Sequence, residues 1–250
     1  MFPMLGPIKV YTIVYVLSMV ACFAAADFWC RRLALSRRVG LWLGVLYVFG
    51  MAVGARILYD VLQHRFDPRN YLRLGYYFEY GLWGGPLAYL MLASIFAVLH
   101  RRRRDILDVM VLVLPLPMAM AKLACFFNGC CYGSPCDWLW CVAFPPGADA
   151  PSGIARHATQ VYEILVMVVI WVVLTRLDRN RWAGLLPVWF VFLYGLGRPL
   201  TEWFRAPDPL RPSAGALTTS QLVCLVAGVG AGSALLILGR LRRAVVEAAR

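Results

Sequence analysis

Seven separate stretches of mostly apolar residues punctuate the chain, and each is read as a crossing of the bilayer. A helix spanning the hydrocarbon core needs roughly 20 such residues. The stretches fall at 10–29, 39–62, 76–99, 106–128, 160–175, 183–204 and 221–239. The expectation is an all-α polytopic membrane protein, residues 1–250 forming a single integral membrane domain of seven transmembrane helices. Composition agrees. Of 250 residues 61% are hydrophobic and 15% charged, against about 45–50% and about 25% in soluble domains. That balance excludes a soluble fold, a nucleic-acid module and a disordered chain. Pro115, Pro117 and Lys122 interrupt the fourth stretch, and prolines are tolerated in a span where neighbours cover the freed carbonyls. The first stretch has neither the charged start nor the small-residue cleavage site of a signal peptide, so it is expected to remain as a span.

The basic residues set an orientation. Arg31, Arg32, Arg37, Arg38, Arg101 to Arg104, Arg176, Arg179, Arg181, Arg240, Arg242, Arg243 and Arg250 place 15 cations in alternate loops on one side. The other side carries 7: Lys9, Arg65, Arg69, Arg73, Arg156, Arg205 and Arg211. By the positive-inside rule the N-terminus lies outside and the C-terminus in the cytoplasm. The net charge of +12 is therefore a matter of topology, and no nucleic-acid partner is expected.

With that orientation, most polar residues within the spans fall in the outer half. Tyr11 and Tyr15 open the first span, Arg56 and Asp60 lie near the outer end of the second, and Glu79 with Gly84 and Gly85 begins the third. Lys122 and Asn128 close the fourth, His157, Gln160 and Glu163 stand at the fifth, and Tyr194, Arg198 and Glu202 close the sixth. Asp27 and Asp108 are the inner-side exceptions. Charges inside a span are costly and mark functional sites. Arg56 with Asp60, and Arg198 with Glu202, are four apart, so each pair shares a helix face. Three cations at one depth repel unless an anion sits among them. The expected occupant is a phospholipid phosphate held by Arg56, Lys122 and Arg198, since guanidinium suits bidentate phosphate binding and lysine serves as a point charge.

Six collinear segments then resemble one family. The run Lys122-Leu-Ala-Cys-Phe-Phe-Asn128-Gly129-Cys-Cys-Tyr-Gly133 is similar to the signature that closes the fourth span of prolipoprotein diacylglyceryl transferases. Lys9-Val-Tyr11-Thr-Ile-Val-Tyr15 resembles the family's opening tyrosine segment, Gly54-Ala-Arg56-Ile-Leu-Tyr59 its Gly-x-Arg-x-x-Tyr, and Trp83-Gly84-Gly85-Pro86-Leu87 its His-Gly-Gly-Leu. Arg156-His157-Ala-Thr-Gln160-Val-Tyr162-Glu163 is similar to its His-Pro-x-Gln-Leu-Tyr-Glu, and the stretch from Tyr194 through Arg198, Glu202 and Arg205 to Asp208 to its Arg-x-x-x-Glu-Phe-x-Arg segment.

The resemblance implies a transferase of the bacterial cytoplasmic (inner) membrane with its active site toward the outer leaflet. It would move diacylglyceryl from phosphatidylglycerol to the lipobox cysteine of a preprolipoprotein signal peptide and release glycerol phosphate, with the bilayer as its surroundings and no cofactor or metal. Carried over by position, Arg198, Glu202, Tyr15 and His157 are the catalytic candidates. Arg56, Lys122, Asn128, Gly129, Tyr194, Gly84 and Gly85 are the substrate-binding candidates. The chain departs from the family at three motif positions: Trp83 replaces a histidine, Lys122 an arginine and Cys125 an asparagine. Losing the histidine removes a group suited to proton transfer near neutrality. His157 or Glu202 is the expected substitute.

Five of the eight cysteines, Cys125, Cys130, Cys131, Cys136 and Cys141, cluster where the fourth span meets an outward loop. Outside the cytoplasm nearby thiols form disulfides, and a bridge from Cys136 or Cys141 to Cys130 or Cys131 would order that loop. Reduced packing cysteines and a metal or redox role are the alternatives. Cys22 and Cys224 lie in spans as small hydrophobes. Competing functions are a divergent paralogue acting on another lipid or acceptor, a thiol oxidoreductase built on the cluster, and a lipid-binding protein without catalysis.

Overall fold

The computed structural model describes residues 4–5, 8–62, 84–207, 213–214 and 217–248. Trp83, Glu79, Arg65, Arg69, Arg73, Asp208 and Arg211 lie outside the described residues. Short strands β1 (Met4–Leu5) and β2 (Ile8–Lys9) pair antiparallel and lead into α1 (Val10–Arg32). Next come α2 (Arg37–Phe49), a π-helical segment over Gly50–Gly54 and α3 (Ala55–Leu62). They are followed by α4 (Gly84–Val98), α5 (Arg103–Val113) and α6 (Pro115–Asn128). Beyond an antiparallel pair, β3 (Val142–Ala143) with β4 (Ala155–Arg156), come α7 (Thr159–Arg176), α8 (Arg179–Trp182) and α9 (Leu186–Trp203). The hairpin β5 (Ser213–Ala214) with β6 (Leu217–Thr218) precedes α10 (Thr219–Ala248).

Among the described residues, five helical stretches are long and apolar enough to cross a membrane: Val10–Arg32, Arg37–Ile57, Arg103–Asn128, Thr159–Arg176 and Thr219–Arg242. Gly84–Val98 is a shorter apolar helix. The described chain is thus mostly helical, as expected of a polytopic membrane protein. The surface supports that environment independently. On α7 the buried positions include Thr159, Gln160 and Glu163, while Val161, Leu165, Val168, Val169, Trp171 and Val172 are exposed. A water-soluble amphipathic helix keeps its outer face polar; here the outer face is apolar and the charged Glu163 is turned inward, beside Met167, Ile170 and Leu174.

The chain divides into two compact units, residues 19–113 and residues 1–18 with 114–250. In the first, the π-helical segment packs on α4 through small residues. A Cβ on Gly54 would meet Ala88 Cβ at 2.3 Å and the Gly84 carbonyl oxygen at 2.5 Å, and one on Gly50 would meet the Tyr89 backbone nitrogen at 2.8 Å. Such small-x-x-x-small spacing lets membrane helices touch through their backbones. Tyr89, fully buried, stacks edgewise on Tyr47 and donates its hydroxyl to the Met110 carbonyl at 3.1 Å. A tyrosine hydroxyl so deeply buried needs that acceptor. In the same unit Arg102 donates to the carbonyls of Ala34 (2.5 Å) and Leu33 (2.8 Å), tying the ends of α1 and α5 together.

In the second unit, α6 begins with Pro115 and Pro117, where a missing backbone N–H costs little, and ends at Gly129 with φ +74°. That left-handed turn suits glycine and throws the chain into the loop that carries the cysteines. The α9 and α10 backbones meet at glycine: a Cβ on Gly195 would lie 2.6 Å from Gly228 Cα and 2.7 Å from the Cys224 carbonyl oxygen. Arg242 donates to the carbonyls of Arg181 (2.5 Å) and Ala183 (3.1 Å), again joining two arginine-bearing segments. At the opposite ends of α6 and α9, Gly133 pairs with Arg205, and the amide of Ser134 donates to the Phe204 carbonyl at 2.9 Å.

Candidate functional site

Five charged side chains gather where α6, α7 and α9 pack in the second unit. Glu163 on α7, 4% exposed, stands among three cations. Its Oε2 is 2.9 Å from Lys122 Nζ on α6, and its Oε1 is 3.6 Å from Arg198 Nη1 on α9 and 3.9 Å from Arg205 Nη1 just past α9. Arg198 also pairs with Glu202 one turn on, and Arg205 Nη1 lies 3.8 Å from Glu202 Oε2. The Arg198 guanidinium donates to Thr201 Oγ1 at 3.2 Å, and that hydroxyl donates in turn to the Arg198 carbonyl at 2.9 Å. Arg198 and Glu202 are 3% and 4% exposed. Buried charges persist only when paired, and this network pairs three cations against two carboxylates while leaving Glu163 Oε1, Glu202 Oε2 and Arg205 Nε without a hydrogen bond among the described residues.

The repulsion that the sequence assigned to a lipid phosphate is relieved here by Glu163 from the protein itself. Arg56 belongs to the other unit, where it forms a buried pair with Asp60 at 3.1 Å, as the four-residue spacing predicts. Two members of the network, Glu163 and Arg205, were missed as candidates. Glu163 stands three residues from Gln160 at the same depth, which was the available signal. Arg205 is counted in the sequence as a loop cation and as the close of the Arg198 to Arg205 segment, and that motif position was the available signal. Burial works against its charge, but Cys131, Glu163 and Glu202 more than offset that and hold Arg205 protonated more firmly than an ordinary arginine. Among the described residues, Arg205 Nε is a buried donor without a hydrogen-bond partner.

Three thiols adjoin the network. Cys125 ends the penultimate turn of α6, and Cys130 and Cys131 follow its left-handed cap, with all three Sγ atoms within 4.8 Å of one another. Cys131 itself has φ +61°, a conformation a non-glycine residue adopts only when its surroundings impose it. Here α7 does so: Gln160 Nε2 donates to the Cys130 carbonyl at 2.6 Å and Thr159 Oγ1 to the Cys131 carbonyl at 2.5 Å. The thiols of Cys125 and Cys130 bond to Cys131, and Lys122 and Arg205 lie near it. Together they hold its pKa well below the usual thiol range. The Cys130 thiol bonds to Cys125, which lowers its pKa, but its bond to Cys131 and burial outweigh this and push it up to about 12.

The disulfide differs from expectation. Cys136 pairs with Cys141, five residues on, and leaves Cys130 and Cys131 as thiols. Pairing within the loop follows from position: Cys130 and Cys131 are turned back toward α6 and α7 by their carbonyl bonds, whereas Cys136 and Cys141 share the tip. That tip carries Trp138, Leu139 and Trp140, all exposed.

The remaining candidates divide. Tyr194 neighbours the network, interacting electrostatically with Arg198, Glu163 and Glu202, and stacks on Phe190. Tyr15 stacks on Tyr11 and feels the Cys125 thiol. His157 bonds its Nδ1 to the Tyr162 hydroxyl at 3.0 Å and packs against Trp138 and Phe204, a bracing role under the loop. Asn128 donates to Asp149 at 2.7 Å and Gly129 supplies the cap, so both shape the loop. Gly84 and Gly85 are buried in the first unit against the π-helical segment: a Cβ on Gly85 would meet Met51 Sδ at 2.8 Å.

Comparison with known proteins supplies the family. The family model described as prolipoprotein diacylglyceryl transferase matches residues 1–238. A protein of Methylocella silvestris named phosphatidylglycerol-prolipoprotein diacylglyceryl transferase is 30% identical, over 96% of this chain and 92% of its own length. Proteins of the same name from Geobacter sulfurreducens and Coxiella burnetii are each 29% identical, over 85% and 82% of this chain and 84% and 81% of their own lengths. The chain belongs to the prolipoprotein diacylglyceryl transferase family.

Proposed function

We propose that this member of the prolipoprotein diacylglyceryl transferase family moves the diacylglyceryl group of phosphatidylglycerol onto the lipobox cysteine thiol of a preprolipoprotein. Its relatives' names supply the lipid and the acceptor for those proteins; the buried charge network of this chain carries the reading to it. In the reaction the carbon–oxygen bond between diacylglycerol and phosphate breaks, a carbon–sulfur bond forms, and glycerol phosphate leaves with its negative charge. A thiol attacks only as thiolate, and a departing phosphate needs preorganised positive charge in a water-poor site. Lys122, Arg198 and Arg205 against Glu163 and Glu202 leave one positive charge in excess. The open Nε of Arg205 is a donor that a phosphate oxygen would satisfy.

In this reading Arg198 and Arg205 grip the phosphate, Lys122 adds charge, and Glu202 accepts the acceptor thiol's proton, a role left open at the position where the family's histidine is Trp83. Tyr15 and Tyr194 line the site, with His157, Asn128 and Gly129 bracing the loop beside it. Arg56, Gly84 and Gly85 remain substrate-binding proposals on their motif positions. The chain would act as one integral domain of seven spans in the bacterial inner membrane, with the N-terminus outside, the C-terminus cytoplasmic and the site toward the outer leaflet. The arginine distribution supports that orientation.

The test uses purified protein in phosphatidylglycerol-containing micelles with a lipobox peptide, reading peptide mass and free glycerol phosphate together. A diacylglyceryl mass gain matched by glycerol phosphate release is the expected result. Neither product, while a relative works alongside, would overturn the reading.

A further inference from the structure

The transfer reaction gives no task to the three thiols beside the charge network, yet they gather where α6 ends in a left-handed turn that α7 holds in place. Cys125, Cys130 and Cys131 bring their Sγ atoms within 4.8 Å of one another. A planar shell of three sulfurs at a metal–sulfur distance of about 2.3 Å has edges of about 4.0 Å, so small side-chain rotations close it. The backbone is already fixed: Gly129 and Cys131 are both left-handed, and Gln160 and Thr159 hold the carbonyls of Cys130 and Cys131. Outer contacts of this kind fix ligand orientation in metal centres. The other sulfur-rich group, Cys136 and Cys141 with His157, has both sulfurs in a disulfide and is closed to metal.

We propose that Cys125, Cys130 and Cys131 form a three-thiolate binding site for a soft monovalent d10 cation of the Cu(I) class. Three sulfur ligands match the preference of that class for thiolates. Zn(II) prefers four ligands in tetrahedral array, and the group comprises three among the described residues. Charge agrees as well. Three thiolates around a monovalent cation carry a net double negative charge, and two cations, Lys122 and Arg205, stand near enough to Cys131 to interact with it electrostatically. On binding, each protonated thiol releases its proton to solvent and no electron is transferred. The bound complex would therefore draw on the same cations that the transfer reaction needs.

The experiment is a Cu(I) titration of the detergent-purified full chain, its Cys136–Cys141 disulfide intact, under anaerobic conditions against a competing Cu(I) chelator. X-ray absorption of the product counts the sulfur neighbours. One tightly held equivalent with three sulfur neighbours is expected. Cys130→Ser and Cys131→Ser should each weaken it at least about 100-fold, beyond the 10–100-fold that loss of an outer partner costs. Cys22→Ser and Cys224→Ser should leave it unchanged. No uptake against the chelator, two or fewer sulfur neighbours, or undiminished uptake by Cys130→Ser would each overturn the site. Should the serine variants misfold, the sulfur count on the unaltered protein still decides. Neither measurement uses the transfer reaction, so this proposal and the transferase reading fail independently.

Discussion

Where the π-helical segment meets α4, helices touch because side chains are missing; where α6, α7 and α9 meet, they are joined by five charged side chains. Both contacts lie in apolar helices, and each answers the same difficulty. Between membrane helices there is no gain from hiding apolar surface, because lipid is as apolar as leucine, so close backbone packing or polar contact must hold them. Gly50, Gly54, Gly84 and Gly85 give the first unit the former. Lys122, Glu163, Arg198, Glu202 and Arg205 give the second unit the latter, at the cost of burying charge. A contact of small residues supplies no charge. The charged one combines packing with a field that can act on an anion.

The sharpest way to break that contrast is Glu163→Gln. It leaves Lys122, Arg198 and Arg205 facing one carboxylate, and removing one partner from a buried ion network costs about 3–5 kcal/mol. A large fall in the thermal midpoint in detergent is expected, and a midpoint equal to that of the unaltered protein would show that the network contributes little. Next comes Gly54→Val in the other unit. Its added atoms run into Ala88 and the Gly84 carbonyl, and overpacking of this kind costs about 3 kcal/mol at the upper end of its range. If thermal unfolding is unchanged, backbone contact is not what secures that helix pair.

Two smaller effects sharpen the view of the loop over the network. Replacing Cys136 and Cys141 with serine opens a short ring, and chain entropy alone sets the loss at about 2 kcal/mol. Transfer should persist in that variant, because neither residue belongs to the charge network; abolished transfer in a well-folded variant would move the chemistry into the loop. Asn128→Ala removes the bond to Asp149 and should cost about 1 kcal/mol, read as a slight drop in midpoint with transfer retained.

Much of this was legible in the sequence. Span-length apolar runs marked α1, the stretch from α2 to α3, the α5–α6 run, α7, α9 and α10 closely, because twenty consecutive apolar residues have few other uses. The pairs Arg56 with Asp60 and Arg198 with Glu202 followed from helical spacing alone. The anion between Lys122 and Arg198 did not, since its identity depends on how α7 is rotated about its axis, and a sequence gives depth more readily than rotation. The disulfide was misread for a related reason. Five clustered cysteines say nothing of which way each faces, and it is Thr159 and Gln160, on another helix, that turn Cys130 and Cys131 away from the loop tip. The π-helical segment was also invisible beforehand, because it depends on the close approach of α4.

The most direct test of the central claim, that the buried charges of α6, α7 and α9 perform the transfer, is the rate of glycerol phosphate release from phosphatidylglycerol by Arg198→Ala with a lipobox peptide present. The account predicts loss of release to the background rate in a variant that still purifies as folded protein, since Arg198 contacts both carboxylates of the network. Release at the unaltered rate would contradict it and place the chemistry elsewhere in the chain.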